Sequence, residues 1–132
     1  MNPQEYLKDF DRWNIVKKEL NHAQFSTPFN VREVWWASLG VNVGREEDGK
    51  HEKFERPVIV LKKYNKDKLL IAPLTGKEKD DRYIYKHLHE GVYRGIIFSQ
   101  LRTISAQRLL RKMWRMDLNP FEKLLESIKS SF

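Results

Sequence analysis

Apolar and polar positions follow different rhythms in different parts of this chain. Near the N-terminus Tyr6, Phe10, Trp13, Val16 and Leu20 recur at spacings of three and four, the period of one helical face. Asn2 is placed to cap that helix, Pro3 suits its first position and Glu5 its first turn. The pattern therefore predicts a helix over residues 1–22 whose apolar face packs on a sheet. Residues 23–30, with Ser26, Thr27 and Pro28, read as a linker. Val31 to Leu39 is short and rich in valine and tryptophan, which predicts a strand. A strand sends successive side chains to opposite faces, so Trp35 and Trp36 must diverge.

The clearest pattern runs from Phe54 to Gly76. Two apolar runs, PVIVL and LLIAPL, flank the polar break Tyr64-Asn65-Lys66-Asp67, and this reads as a β-hairpin. If the break is the loop, Lys63 opposes Lys68, and counting outward Arg56 opposes Thr75; a loop one residue shorter shifts the pairing by one. In this register Val58, Val60, Ile71 and Pro73 share one face, and Ile59, Leu61, Leu70, Ala72 and Leu74 the other. Both faces are apolar, so the hairpin is expected to be buried on both sides, as in a small barrel with a helix laid on it. A guanidinium and a hydroxyl then share the open end of the hairpin, an arrangement that suits a phosphate.

The remaining elements are shorter. Residues 83–88 predict a strand with Tyr83 and Tyr85 on one side, and His87 and His89 share a side. Gly95 to Leu101 predicts another strand. Ser105 can cap a short helix over AQRLLRK, and residues 112–116 read as a last strand. Asn119-Pro120 opens a C-terminal helix over 119–131 with Phe121, Leu124, Leu125 and Ile128 on its apolar face. The expected architecture is α+β, one domain over residues 1–132, with a β-barrel over 31–116 between two helices. The polar stretch 40–53 reads as a long loop, and such loops often serve binding.

Composition narrows the chemistry. Lys and Arg number 25 against 18 Asp and Glu, a net charge of +7, which favours polyanion partners. Arg45, Lys50 and Lys53 on the long loop can hold phosphates, and His51 can exchange a proton near neutral pH. One of Trp35 and Trp36 can offer a surface on which a base stacks. There is no cysteine, which removes disulfides, thiolate nucleophiles and cysteine zinc sites. Two histidines without a third convergent ligand are a weak metal signal, so no metal and no cofactor are expected. The charge runs Glu46-Glu47-Asp48 and Asp80-Asp81 read as solvated faces. No phosphate loop, zinc helix or serine elbow is present. No apolar run approaches the roughly 18 residues that span a bilayer, and no signal core precedes the fold. A cytoplasmic protein without a membrane partner is expected.

Four segments, in order over residues 31 to 116, resemble the MazF/PemK-like toxins of toxin–antitoxin systems. Val31-Arg32-Glu33-Val34-Trp35-Trp36 looks like that family's opening strand. Gly44-Arg45-Glu46 followed by Arg56-Pro57-Val58-Ile59-Val60 resembles its Gly-x-Glu loop and Arg-Pro strand. Ala72-Pro73-Leu74-Thr75 resembles its Pro-apolar-Thr strand end, and Ser99-Gln100-Leu101-Arg102-Thr103-Ile104, with Arg108-Leu109, its acidic-Gln-x-Arg segment. The resemblance implies an SH3-like barrel, a homodimer, a sequence-specific endoribonuclease that cleaves single-stranded RNA at short sequences without a metal, and a cognate antitoxin. Carried over by position, Arg56 and Thr75 are the catalytic pair, while Ser99, Gln100, Arg102 and Trp36 join the basic loop residues in binding RNA. Ser99 stands where many relatives carry an acid that can act as base. His51 is the substitute expected here, with Glu46 and Glu52 as others. Two rival expectations are a non-catalytic module that binds RNA or a protein tail through a strand tryptophan, Tyr83, Tyr85 and basic residues, and a toxin homologue that has another target, since gyrase-directed relatives share the barrel, or that has lost activity through the Ser99 change.

Overall fold

The computed structural model describes residues 7–23 and 27–132. Helix α1 spans Phe10–Asn21. Strands β1 (Glu33–Ser38), β2 (Glu55–Lys63), β3 (Lys68–Thr75), β4 (Ile84–His89), β5 (Val92–Ile97), β6 (Arg102–Ser105) and β7 (Leu109–Arg115) follow, and helix α2 spans Leu118–Ser130. The strands form one antiparallel sheet in the order β4-β5-β3-β2-β1-β7. One edge of β3 is shared: its first half pairs with β6 and its last two residues, Leu74 and Thr75, with β5. The class is α+β, as expected. The expected barrel is not closed, because β4 and β7 remain unpaired edges. His89 of β4 stacks on Trp114 of β7, ring centroids 3.8 Å apart and 9° from parallel, and so bridges the gap with aromatic contact.

The hairpin lies where the alternation put it. Val58 faces Pro73, Ile59 faces Ala72 and Val60 faces Ile71. Beyond Val60 a β-bulge shifts the register, so Lys63 faces Leu69 and not Lys68. The bulge turns Lys63 onto Phe29, where its ammonium lies 4.7 Å from the ring centroid and donates to the Phe29 carbonyl at 3.0 Å. Both hairpin faces are buried. Val58, Val60 and Ile71 join Phe29 and Trp35 in one core, while Ile59, Leu61, Ala72 and Leu74 join Phe121, Leu124 and Ile128 of α2 in another.

Four expectations need correction. The Asn2, Pro3, Glu5 and Tyr6 start of the first helix lies outside the described residues; α1 begins at Phe10, with Asp9 accepting from the Arg12 amide at 2.9 Å. Its apolar face packs on the loop after β1 rather than on the sheet, through Trp13 against Val41 and Phe54. Gly40 is required there: its φ is +80°, and a Cβ would sit 2.0 Å from the Trp13 ring. The short helix expected after Ser105 is a single turn, Ala106–Arg108, followed by β7, because the backbone of β1 needs a partner on its second edge. The strand expected over 95–101 ends at Ile97, and Arg102–Ser105 forms β6 instead.

Candidate functional site

Arg56 lies near the start of β2 and Thr75 ends β3. Each is two positions beyond the last hairpin pair, Val58 with Pro73, so alternation puts both on one face. Neighbouring strands hold both backbones: Arg56 pairs with Ala37 of β1, and Thr75 with Gly95 of β5. The two residues line one cavity of about 280 Å³ together with Trp36, Lys50, His51 and Lys77.

Arg56 is already engaged. Its Nε donates to the Asp48 carbonyl at 2.8 Å and its Nη1 to the Leu74 carbonyl at 3.0 Å. Its Nη2 lies 3.5 Å from the Glu47 carboxylate. The guanidinium thus spans from the long loop to the residue beside Thr75. Thr75 is 8% exposed, and its hydroxyl accepts from the Lys77 amide at 3.2 Å.

The loop 40–53 is bonded rather than structureless. Asp48 is buried, accepts from the Asn42 amide at 2.6 Å and pairs with Lys8 at 3.2 Å. Lys50 and Glu55 form a bridge. The run Glu46-Glu47-Asp48 is therefore not a solvated face. Asp48 pins the loop and Glu47 reaches Arg56, and only the acids' proximity to the Arg-Pro strand hinted at either.

The other expected residues divide. Trp36 is half-buried under the Arg111 guanidinium, 5.0 Å from its ring centroid, while Trp35 is buried and donates to Glu33 at 3.0 Å. His51 is exposed, with φ of 68°. It opens onto Thr75's cavity and onto a wider groove of about 1090 Å³ that Arg45, Glu46, Glu52, Ser99 and Gln100 also line. Gln100 braces the loop, since its Oε1 accepts from the Glu47 amide at 2.7 Å. Lys53 is exposed and lines neither space. Arg102 lies aside, in a cleft with Glu46, Ser99 and Gln100. Burial pulls its pKa down, with Glu46 opposing. Burial and the nearby Arg102 pull Arg108 down to about 10, so it stays charged at neutral pH; it donates to the Ser38 carbonyl at 3.1 Å. His87 and His89 both stack on Trp114. Among the described residues no three His, Cys, Asp or Glu converge as metal ligands, and no helix is long and apolar enough to cross a membrane. Sequence reading missed Glu47, Lys77, Lys79 and Arg94 as wall residues.

A hydroxyl and a guanidinium at the end of two paired strands, beneath a basic rim, occur here on a sheet of known type. The family model of PemK-like, MazF-like toxins of type II toxin–antitoxin systems matches residues 30–132. The chain belongs to this family. Helix α1 precedes the matched region, so it is an addition to the family's common part. Among solved structures the chain is similar to MazF (Form-I) from Deinococcus radiodurans, with 16% identity and a TM-score of 0.63 over 82% of this chain and 97% of that one. It is similar to the Mycobacterium tuberculosis toxin MazF-mt6, at 17% identity and TM-score 0.58 over 76% and 96%. It is also similar to an endoribonuclease in complex with its cognate antitoxin from a mycobacterial species, at 9% identity and TM-score 0.60 over 80% and 94%. At these identities the likeness is one of fold. No curated protein matches the sequence.

Proposed function

We propose that this PemK/MazF-like toxin is an endoribonuclease that cuts single-stranded RNA without a metal, with Arg56 and Thr75 as its catalytic pair. The observation that carries the reading is that these two side chains line one cavity. Its other cationic walls, Lys50, Lys77, Lys79 and Arg94, outnumber the carboxylates Glu47 and Glu55 there, a balance that suits an anion.

In the reaction the RNA 2′-oxygen attacks the adjacent phosphorus, the bond to the 5′-oxygen breaks, and a 2′,3′-cyclic phosphate and a 5′-hydroxyl result. His51 takes the proton from the 2′-hydroxyl, water protonates the departing 5′-oxygen, and the imidazolium returns its proton to the solvent. Arg56 stabilises the extra negative charge on phosphorus through two charge-assisted hydrogen bonds, and Thr75 supplies a further donor. Glu47 occupies the position on Arg56 that a phosphate oxygen would take, so substrate must displace it. Arg45 and Lys50 hold neighbouring phosphates, Ser99 and Gln100 contact the strand from the groove, Arg102 meets it from the cleft alongside, Lys53 adds charge from outside both spaces, and Trp36 offers a ring to a base. The resemblance extends the proposal to a cognate antitoxin and a second copy of the chain as partners, and to the cytoplasm.

The occupied guanidinium of Arg56 favours one second reading, in which the chain binds RNA without cutting it. Incubating a long RNA with the protein in EDTA decides between them. Wild type is expected to leave 2′,3′-cyclic phosphate ends and Arg56→Ala to leave the RNA intact. Equal cutting by a folded Arg56→Ala protein would remove the mechanism, and no cutting by wild type would favour the binder.

A further inference from the structure

The cavity beside Thr75 contains a second guanidinium that the reaction above does not use. Arg94 of β5 lines it. Its Nε is buried without a hydrogen-bond partner. No carboxylate among the described residues pairs with it, whereas Arg56 and Arg111 each have one, Glu47 and Glu55. A buried donor without an acceptor is costly in the free protein, and the Tyr93 hydroxyl and Trp114 Nε1 are in the same state; a ligand in the cavity would meet the rest of the Arg94 guanidinium.

Register places Arg94 relative to the catalytic pair. Gly95 opposes Thr75, so the side chain one position earlier points to the other face of the sheet. That face is the one Val34 and Ile96 share with α2, and alternation along β1 puts Trp36 there too. Arg56 and Thr75 project from the face of Val58 and Ile71. The cavity folds round the strand ends, because residues of both faces line it. One half holds the guanidinium and hydroxyl of the proposed chemistry. The other holds Arg94, the half-buried indole of Trp36 and the Glu55 carboxylate, with the Arg111 guanidinium that Glu55 pairs lying over the indole.

We infer that Arg94 and Trp36 form a subsite for a nucleotide next to the cleaved linkage, with Arg94 holding the flanking phosphate and Trp36 the base. This rests on the endoribonuclease reading and adds a residue to it. Arg94 is a binding residue on the far side of the strand ends from the reacting phosphorus, so it contributes to affinity for the strand and not to the chemical step. Its contact is electrostatic and independent of base identity.

The test uses the full chain as wild type, Arg94→Ala, Arg94→Gln and Arg94→Lys. Binding of a labelled 2′-O-methyl oligonucleotide of mixed sequence, which cannot be cleaved, is measured against salt. Cleavage of a long RNA is measured alongside. Losing one phosphate contact on a single strand flattens the slope of log K against log salt by about 0.7. Arg94→Ala and Arg94→Gln are expected to show that flattening, with KM raised about tenfold and kcat within about twofold of wild type. Arg94→Lys is expected to regain the slope, because a point charge suffices for it. The melting temperature is expected to hold in Arg94→Gln, since the lost Nε made no internal bond. An unchanged slope and KM would overturn the inference, and so would a fall in kcat at constant KM. If wild type binds the oligonucleotide but cuts nothing, the nuclease reading fails and the slope still decides for or against Arg94. If it does not bind at all, both fail.

Discussion

Arg56 has its hydrogen-bonding capacity divided between two backbone carbonyls and the Glu47 carboxylate. The carbonyl bonds fix the guanidinium plane, and Glu47 takes the direction left for a ligand. A phosphate competing for that direction must first displace a like charge, which weakens binding without touching the chemical step. Glu47→Gln is therefore expected to lower KM several-fold at similar kcat, measured as initial rates on a defined RNA; loss of kcat would instead make Glu47 a base. At this scale the sequence carried much of the candidate site's geometry. The shared face of Arg56 and Thr75 was legible because strand alternation has a period of two and the bulge after Val60 offsets the altered loop pairing, which restores the expected register near the open end. Glu47 was not, because it reaches Arg56 through a loop whose path depends on the buried Asp48 and on Lys8. Arg94 was not, because nothing local distinguishes a cation facing a cavity from one facing water.

Elements were legible where one face decides them and illegible where a partner does. The hairpin, β4 and α2 follow their own periodicity. β7 does so only from Lys112, where a strand is expected; before it AQRLLRK has good helix formers, yet only Ala106–Arg108 makes a turn and the open edge of β1 takes Leu109–Arg111 as strand. The first helix kept its periodicity and lost its predicted partner, since Gly40 admits Trp13 onto the loop. Trp13→Ala removes a side chain that is 6% exposed, with an expected cost of about 3–5 kcal/mol where the site cannot collapse. Hydrogen exchange should then quicken in residues 40–50 while β2 and β3 stay protected; unchanged exchange in the loop would mean that α1 does not brace it. The seam between β4 and β7 carries a pH dependence. Burial chiefly, and the neighbouring His89, hold the His87 pKa below its usual value, with Asp117 opposing. The unfolded chain then takes the proton first, so stability falls as pH drops below about 6.5 and levels off below the folded pKa. His87→Phe keeps a ring against Trp114 without the titration. Its melting temperature is expected to fall less than that of wild type between pH 7.5 and 5.5, as read by thermal melts at both pH values.

For the whole molecule, the toxin family's sheet brings the ends of β2, β3 and β5 together. A bonded loop reaches that junction through Arg56, and the added helix packs on the loop. The net charge of +7 draws a polyanion toward the molecule from any direction, and the cationic walls of one cavity give it a place to stop. Charge and the order of motifs were visible in the chain. The open seam was not, because closure depends on whether the edges of β4 and β7 meet, a distance no local pattern encodes. What the fold adds to bare charge is the juxtaposition of Arg56 with Thr75, and the single-turnover rate of RNA cleavage in EDTA measures its worth. Arg56→Ala is predicted to slow that rate by about 10²–10³, as removal of one preorganised charge-stabilising donor does, with cyclic phosphate ends from wild type. A folded Arg56→Ala protein cleaving within about fivefold of wild type would contradict the account.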